Sequence, residues 1–130
     1  MMDERMRIGE VAERAGVTPR TIRYYESIGL LPPGEREGTG HHHYTEATLE
    51  RLRKIDQLKK LGLSLEEIQG VIDLYFSDTS GIQGKRKVLA ILRGHLADAD
   101  AKIAALQGFR AEVRANIARM EGYLADAQPG

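Results

Sequence analysis

Residues 8–31, IGEVAERAGVTPRTIRYYESIGLL, decide the fold of this chain. Val11, Ala12 and Ala15 lie three or four residues apart, which gives a short helix one apolar face. Gly16 supplies a tight corner that a residue with a Cβ adopts only under strain. Thr18 fits an N-cap whose hydroxyl takes an orphan backbone N–H, and Pro19 fits the first helical position, where no N–H is needed. Gly29 stops the second helix. Ile22 faces inward, while Arg20, Arg23 and Tyr24, at i, i+3 and i+4, share the opposite face. Two guanidiniums and an aromatic on one face suit phosphate and groove contact. A lone Arg-x-x-Arg would read as a solvated helix face; cap, corner, stop and aromatics together favour a helix-turn-helix that reads DNA.

At 130 residues, with two Phe, five Tyr and no Trp, one large core is not expected; small helices packed against a partner are. No apolar run approaches the roughly 20 residues a bilayer requires, and MMDERMR does not read as a signal peptide, so a cytoplasmic protein without membrane association is expected. Cysteine is absent, which excludes disulfides, thiolate metal sites and thiol redox sensing. The formal net charge is zero. Basic residues are nevertheless clustered: Arg14 to Tyr25 holds three arginines and no acid, and Arg51 to Lys60 holds five basic residues against Asp56 alone. DNA affinity follows the local face presented to phosphates, so a neutral total does not exclude it.

Outward from the opening stretch, Met6 to Ile8 is expected as a short strand. Pro32-Pro33-Gly34 ends regular structure, Gly38-Thr39-Gly40 is turn-rich, and His41 to Tyr44 reads as the return strand of a hairpin, a wing carrying Arg36 and the histidines. Thr45 fits the next N-cap; Leu49, Leu52, Ile55, Leu58 and Leu61 give that helix its inner face, and Gly62 ends it. Ser64 to Glu67 is a capping box opening a helix with Ile68, Val71, Ile72 and Tyr75 inward. Residues 77–84 read as a hinge.

From 85 to 127 runs one proline-free helical pattern. Leu89, Leu92, Leu96, Ala99, Ile103, Leu106, Arg110, Val113, Ile117, Met120 and Leu124 alternate steps of three and four, a coiled-coil seam of about five heptads. Such a helix cannot bury its seam against itself, so a homodimer is expected, held by Leu89, Leu92, Leu96, Ile103, Leu106, Val113, Ile117, Met120 and Leu124. Arg110 either fixes register as the one charge in the seam or snorkels beside Phe109. The whole reads as all-α with a small β-hairpin wing: a winged helix-turn-helix domain over 1–76, a hinge over 77–84, a dimerisation helix over 85–127 and a tail over 128–130.

IGEVAERAGVTPRTIRYYESIGLLPP, then Arg36, Gly40 and Tyr44, LERL at 49–52 and LGLSLEEI at 61–68, followed by a coiled coil, resembles the MerR family of bacterial transcription regulators. The likeness is close over 6–76 and agrees only in kind beyond. It implies an antiparallel dimer whose recognition helices enter successive major grooves of a palindromic promoter. The family's regulators bend and untwist an over-long spacer, so that RNA polymerase meets correctly phased elements. Carried over by position, Arg20, Thr21, Arg23, Tyr24 and Tyr25, with Thr18 at their head, are the recognition-helix contacts. Arg36, His41, His42 and Tyr44 belong to the wing, and Lys60 is a phosphate contact.

Where the family often has Gly-Tyr-Arg-x-Tyr in the wing, this chain has Gly40-His41-His42-His43-Tyr44. His42, mostly neutral at pH 7, stands in for an arginine. On a strand His41 and His43 share a face and His42 points away, which favours hydrogen-bonding wing residues over a metal site. Sensors of metals and oxidants in the family use cysteines, and drug sensors usually add a ligand domain, for which a chain ending at Gly130 leaves no room. An unidentified small-molecule effector between residues 78–84 and the partner's 123–128, lined by Tyr75, Phe76 and Tyr123, remains, as does no effector at all; core packing is the commoner role for those aromatics. No cofactor and no catalytic arrangement is legible, so an enzyme is not expected. A dimeric adaptor that does not touch DNA is the alternative.

Overall fold

The computed structural model describes residues 5–38 and 40–127, so the expected tail over 128–130 and the Thr39 position of the turn lie outside the described residues. Among the described residues five helices and one hairpin follow in order: α1 Ile8–Ala15, α2 Pro19–Ser27, β1 Glu35–Glu37, β2 His41–His43, α3 Glu46–Lys60, α4 Leu65–Ser77 and α5 Ile82–Ala127. The chain divides into two compact units, Met1–Ile91 and Leu92–Gly130.

Local chemistry accounts for the boundaries in the first unit. Gly16, at φ 72°, ends α1, with Val17 N–H reaching Ala12 O and Gly16 N–H reaching Glu13 O. Leu30 and Gly29 repeat the pattern on Tyr25 O and Glu26 O after α2, and Leu63 and Gly62 on Leu58 O and Lys59 O after α3. These paired 6→1 and 5→2 bonds satisfy carbonyls that a helix end otherwise orphans. At the other end of α2, Thr18 Oγ1 accepts Thr21 N–H at 3.1 Å with Pro19 just inside. Thr18→Ala is expected to cost about 0.5–2 kcal/mol of unfolding free energy, readable by urea denaturation. The capping box at α4 is complete, with Ser64 N–H to Glu67 Oε1 at 2.9 Å and Glu67 N–H to Ser64 Oγ at 3.1 Å. Thr45, by contrast, heads α3 without a side-chain cap bond.

α1 packs on α2 and α3, and α3 on α4. Val11 and Ala12, Ile22 and Tyr25, Leu49, Leu52, Ile55 and Leu58, and Ile68, Val71 and Ile72 form the shared core, which among the described residues buries no polar or charged side chain. Leu61 does not continue the α3 face as its spacing suggests: the helix ends at Lys60, leaving Leu61 about half exposed (52%), and Leu63 takes the buried place beyond the turn. The expected strand at Met6 to Ile8 reduces to one bridge, Met6 with Tyr44, because α1 already starts at Ile8. The wing strands pair antiparallel, Glu35 with His43, Arg36 with His42 and Glu37 with His41.

The connection before α5 is also shorter than residues 77–84. α4 ends at Ser77 and α5 begins at Ile82, so Ile82 to Gly84 are the first turn of the helix. In the second unit α5 is exposed throughout its described length beyond His95. Its seam residues stay open to solvent: Leu96, Leu106 and Leu124 are 62%, 67% and 67% exposed.

Candidate nucleic-acid interface

The outer face of α2 is the one its spacing predicts. Arg20, Arg23 and Tyr24 are exposed, whereas Ile22, between them in sequence, is fully buried. Neither Arg20 nor Arg23 forms an ion pair among the described residues. Thr21 is half-buried, and its hydroxyl lies 3.0 Å from that of Thr18, so both threonines serve the cap. Tyr25 does not reach this face. It is 4% exposed, one residue round from Tyr24 and on the side of Ile22, and it belongs to the core.

Tyr44 is likewise a core residue at 4% exposure, and its place explains how the wing is held. The Tyr44 hydroxyl donates to Glu26 Oε1 at 2.9 Å, and Gly34 N–H donates to Glu26 Oε2 at 2.9 Å. One carboxylate at the end of α2 thus clasps both strands' bases. Gly34 leaves room for the ring: a Cβ there would lie 2.8 Å from Tyr44 Cζ, so any larger residue must displace it. Burial, then the hydrogen bond and the negative charge of Glu26, push the Tyr44 phenol up from 10.0 to about 12, against a smaller opposing pull from Arg23.

An unfolded tyrosine ionises near 10, while the folded Tyr44 keeps its proton to about 12. Its contribution is therefore complete below pH 10 and is lost as pH rises towards 12. Tyr44→Phe is expected to flatten that alkaline loss in denaturation measured across this range; an unchanged slope would contradict the placement.

Between the wing and α2 lies a cleft of about 370 Å³ lined by Arg7, Ile8, Arg23, Glu26, Gly40, His41, His42 and Tyr44. Each wing histidine has a different partner. His41 Nδ1 accepts from the Arg7 guanidinium at 3.1 Å, His42 Nδ1 donates to Gly34 O at 3.0 Å, and His43 Nε2 sits 3.2 Å from Glu35 Oε2. They do not converge, and no cluster able to hold a metal ion occurs among the described residues. Arg36 is exposed opposite His42. The Arg7 and Arg23 guanidiniums lining this cleft, with Arg36 exposed on the neighbouring strand, can take a phosphate backbone running between helix and wing.

The basic run from Arg51 to Lys60 divides in space. Lys60 is exposed beside Asp56, at 2.9 Å, on the corner between α3 and α4. Arg51 turns inward instead: Nε donates to Leu30 O and a terminal N–H to Asp73 Oδ1, both at 2.8 Å, with the guanidinium 6.0 Å from the Phe76 ring centroid. Only 16% of its side chain is exposed, so it braces the end of the α2 connection rather than facing DNA.

Glu26, Arg7 and Arg51 were not legible as positioning residues. Glu26 alone carried a signal. It stands four residues after Ile22 on the inward face of α2, and an acid there requires a donor.

The profile described as MerR HTH family regulatory protein matches residues 6–74, and the one described as MerR, DNA binding matches residues 49–121. The HTH-type transcriptional regulator PA4778 of Pseudomonas aeruginosa is 40% identical over 98 residues, spanning 75% of this chain and 72% of that protein. The nodulation protein NolA of Bradyrhizobium elkanii is 37% identical over 100 residues, 77% of this chain but only 41% of NolA. Among solved structures, the transcription regulator PbrR691 from Ralstonia metallidurans CH34, in complex with lead(II), superposes with a TM-score of 0.67 at 31% identity, covering 84% of this chain and 83% of that one.

Proposed function

The chain belongs to the MerR family of helix-turn-helix regulators, and on that premise we propose that it controls transcription as a homodimer on an inverted repeat in promoter DNA. The observation that carries this reading is the exposed Arg20, Arg23 and Tyr24 face of α2, set beside a wing whose base is clasped to the same helix by Glu26. A recognition helix supplies base contacts, and the adjacent wing and Lys60 supply phosphate contacts that set its register.

The second copy is called for by the seam on α5. Leu96, Ile103, Leu106, Ile117, Met120 and Leu124 are each at least half exposed, and a partner helix removes that apolar surface from water. In this reading the two copies run antiparallel, grip successive major grooves and distort the spacer, so that RNA polymerase engages phased promoter elements. Bending a site costs several kcal/mol, which contacts from both copies offset.

PbrR691 was solved with lead, but this chain has no cysteine, so the effector we propose is neither a thiol-bound metal nor a thiol oxidant. A small molecule at the start of α5, near the 46% exposed Phe76, is the alternative to constitutive action. No helix among the described residues is long and apolar enough to cross a membrane.

The experiment is selection of bound duplexes from a random pool by the purified protein, with light scattering on the same sample. Recovery of an inverted repeat bound by a dimer is expected. A clean dimer that enriches no sequence would point instead to an adaptor.

A further inference from the structure

The connection between α4 and α5 is built as a tight joint. Tyr75 lies across it, and its ring rests on Gly84 in the first turn of α5. A Cβ at Gly84 would sit 2.7 Å from Cδ2 and Cε2 and 2.9 Å from Cζ. Gly81, in the left-handed region at φ 68°, borders the other ring edge, where a Cβ would come within 3.5 Å of Cδ1. From α3, the Lys54 ammonium stands 4.5 Å from the ring centroid. The ring is thus held by α3, by the turn and by α5 at once.

The turn itself is pinned by Asp78, whose Oδ1 accepts from Ser80 N–H at 2.7 Å and from Ser80 Oγ–H at 2.6 Å. Ser80 Oγ in turn accepts Ile82 N–H at 3.2 Å, satisfying the first backbone donor of α5. These bonds hold Asp78 below the usual carboxylate range. Four residues connect the two helices, and Asp78, Ser80 and Gly81 are hydrogen-bonded within the turn, so this is no slack linker.

The other side of α4 is tied to the end of the recognition helix. Gln69 Nε2 donates to Ile28 O, and Asp73 holds Arg51, which donates to Leu30 O at 2.8 Å. The same helix therefore meets α5 through Tyr75 and α2 through Gln69 and Asp73.

We propose that Tyr75 seated in the gap left by Gly84 is a steric lock on the angle between α4 and the first turns of α5, and that α4 passes any change of that angle to the recognition helix. The lock is a property of one chain. Its consequence for DNA rests on the dimeric reading above, because the take-off of α5 then sets the separation of the two recognition helices. Packed elements change between discrete arrangements rather than bending continuously, so an added methyl forces either the ring or the helix to a new position.

The absence of native cysteine makes the test direct. Spin labels are placed at Glu50→Cys on α3 and Ala90→Cys on α5, both exposed, in the 130-residue chain diluted with unlabelled chain. Distances are then measured within one chain by pulsed electron resonance. The parent should give one narrow distribution. Gly84→Ala should shift or broaden it, and Gly84→Ala with Tyr75→Leu should move it back. Tyr75→Ala, which removes the ring without adding a clash, should broaden it if Gly84→Ala does not fold. Distributions that stay unchanged overturn the lock, whatever happens on DNA. Duplex selection then tests the link to α2. Gly84→Ala should keep the half-site sequence and change the number of base pairs between half-sites. A shifted distance with an unchanged site overturns the transmission through α4. Failure of the parent itself to select an inverted repeat counts against the dimeric reading and leaves the distance result standing.

Discussion

Arg23→Ala should weaken binding to the selected operator by roughly 1–3 kcal/mol if the guanidinium reads a base edge. At about 1.4 kcal/mol per tenfold, that is about a five- to 150-fold rise in Kd. The structure favours a large value. Arg23 stands on the exposed face of α2 and also lines the cleft under the wing, so its side chain is available to whatever lies between the two. Arg20 shares only the first of these settings, and Arg20→Ala is expected to cost less. Salt dependence separates two kinds of contact. Loss of a base contact leaves the slope of log K on log salt unchanged and relaxes preference at one position. Loss of a phosphate contact lowers the slope by about 0.9 and weakens all sequences alike. Binding unchanged across both salt and sequence would remove Arg23 from the interface.

A lysine in the middle of the seam should have a larger effect. Ile103→Lys places two ammonium groups in an apolar stripe that, in the proposed dimer, loses its water. The expected result is a monomer by light scattering at concentrations where the parent is a dimer. Operator affinity should then fall by about 10²–10⁴, because the second half-site no longer benefits from high effective concentration. Among the described residues the buried side chains of the core belong to residues 6–88, so the helix-turn-helix unit should keep its own unfolding transition. A dimer that survives Ile103→Lys would show that the seam is not the interface. A monomer with undiminished operator affinity would show that a single recognition helix suffices.

Glycines, caps and periodicity determine the helix-turn-helix independently of tertiary contacts. Gly16, Gly29 and Gly62 each end a helix by the same pair of backbone bonds, and Thr18 and Ser64 cap where their spacing places them. These are interactions within a few residues, so the chain's local order specifies them. The exposed face of Arg20, Arg23 and Tyr24 was legible for the same reason, since helical spacing alone separates it from Ile22.

Tertiary structure decided what each polar or aromatic side chain does next. Tyr25 and Tyr44 resemble surface contacts in sequence, yet both are buried: a one-residue step around α2 turns Tyr25 inward, and Glu26 supplies the partner that makes a buried Tyr44 hydroxyl tolerable. Arg51 reads as part of a basic run, but a carbonyl at Leu30 and a carboxylate at Asp73, 21 and 22 residues away, draw it inside. Tyr75 and Gly84 look like an aromatic and a flexible glycine until α5 brings them into contact. Short-range geometry sets the elements because it depends on neighbours in the chain. The partners of Glu26, Arg51 and Tyr75 depend on which distant elements pack together, and periodicity carries no record of that choice.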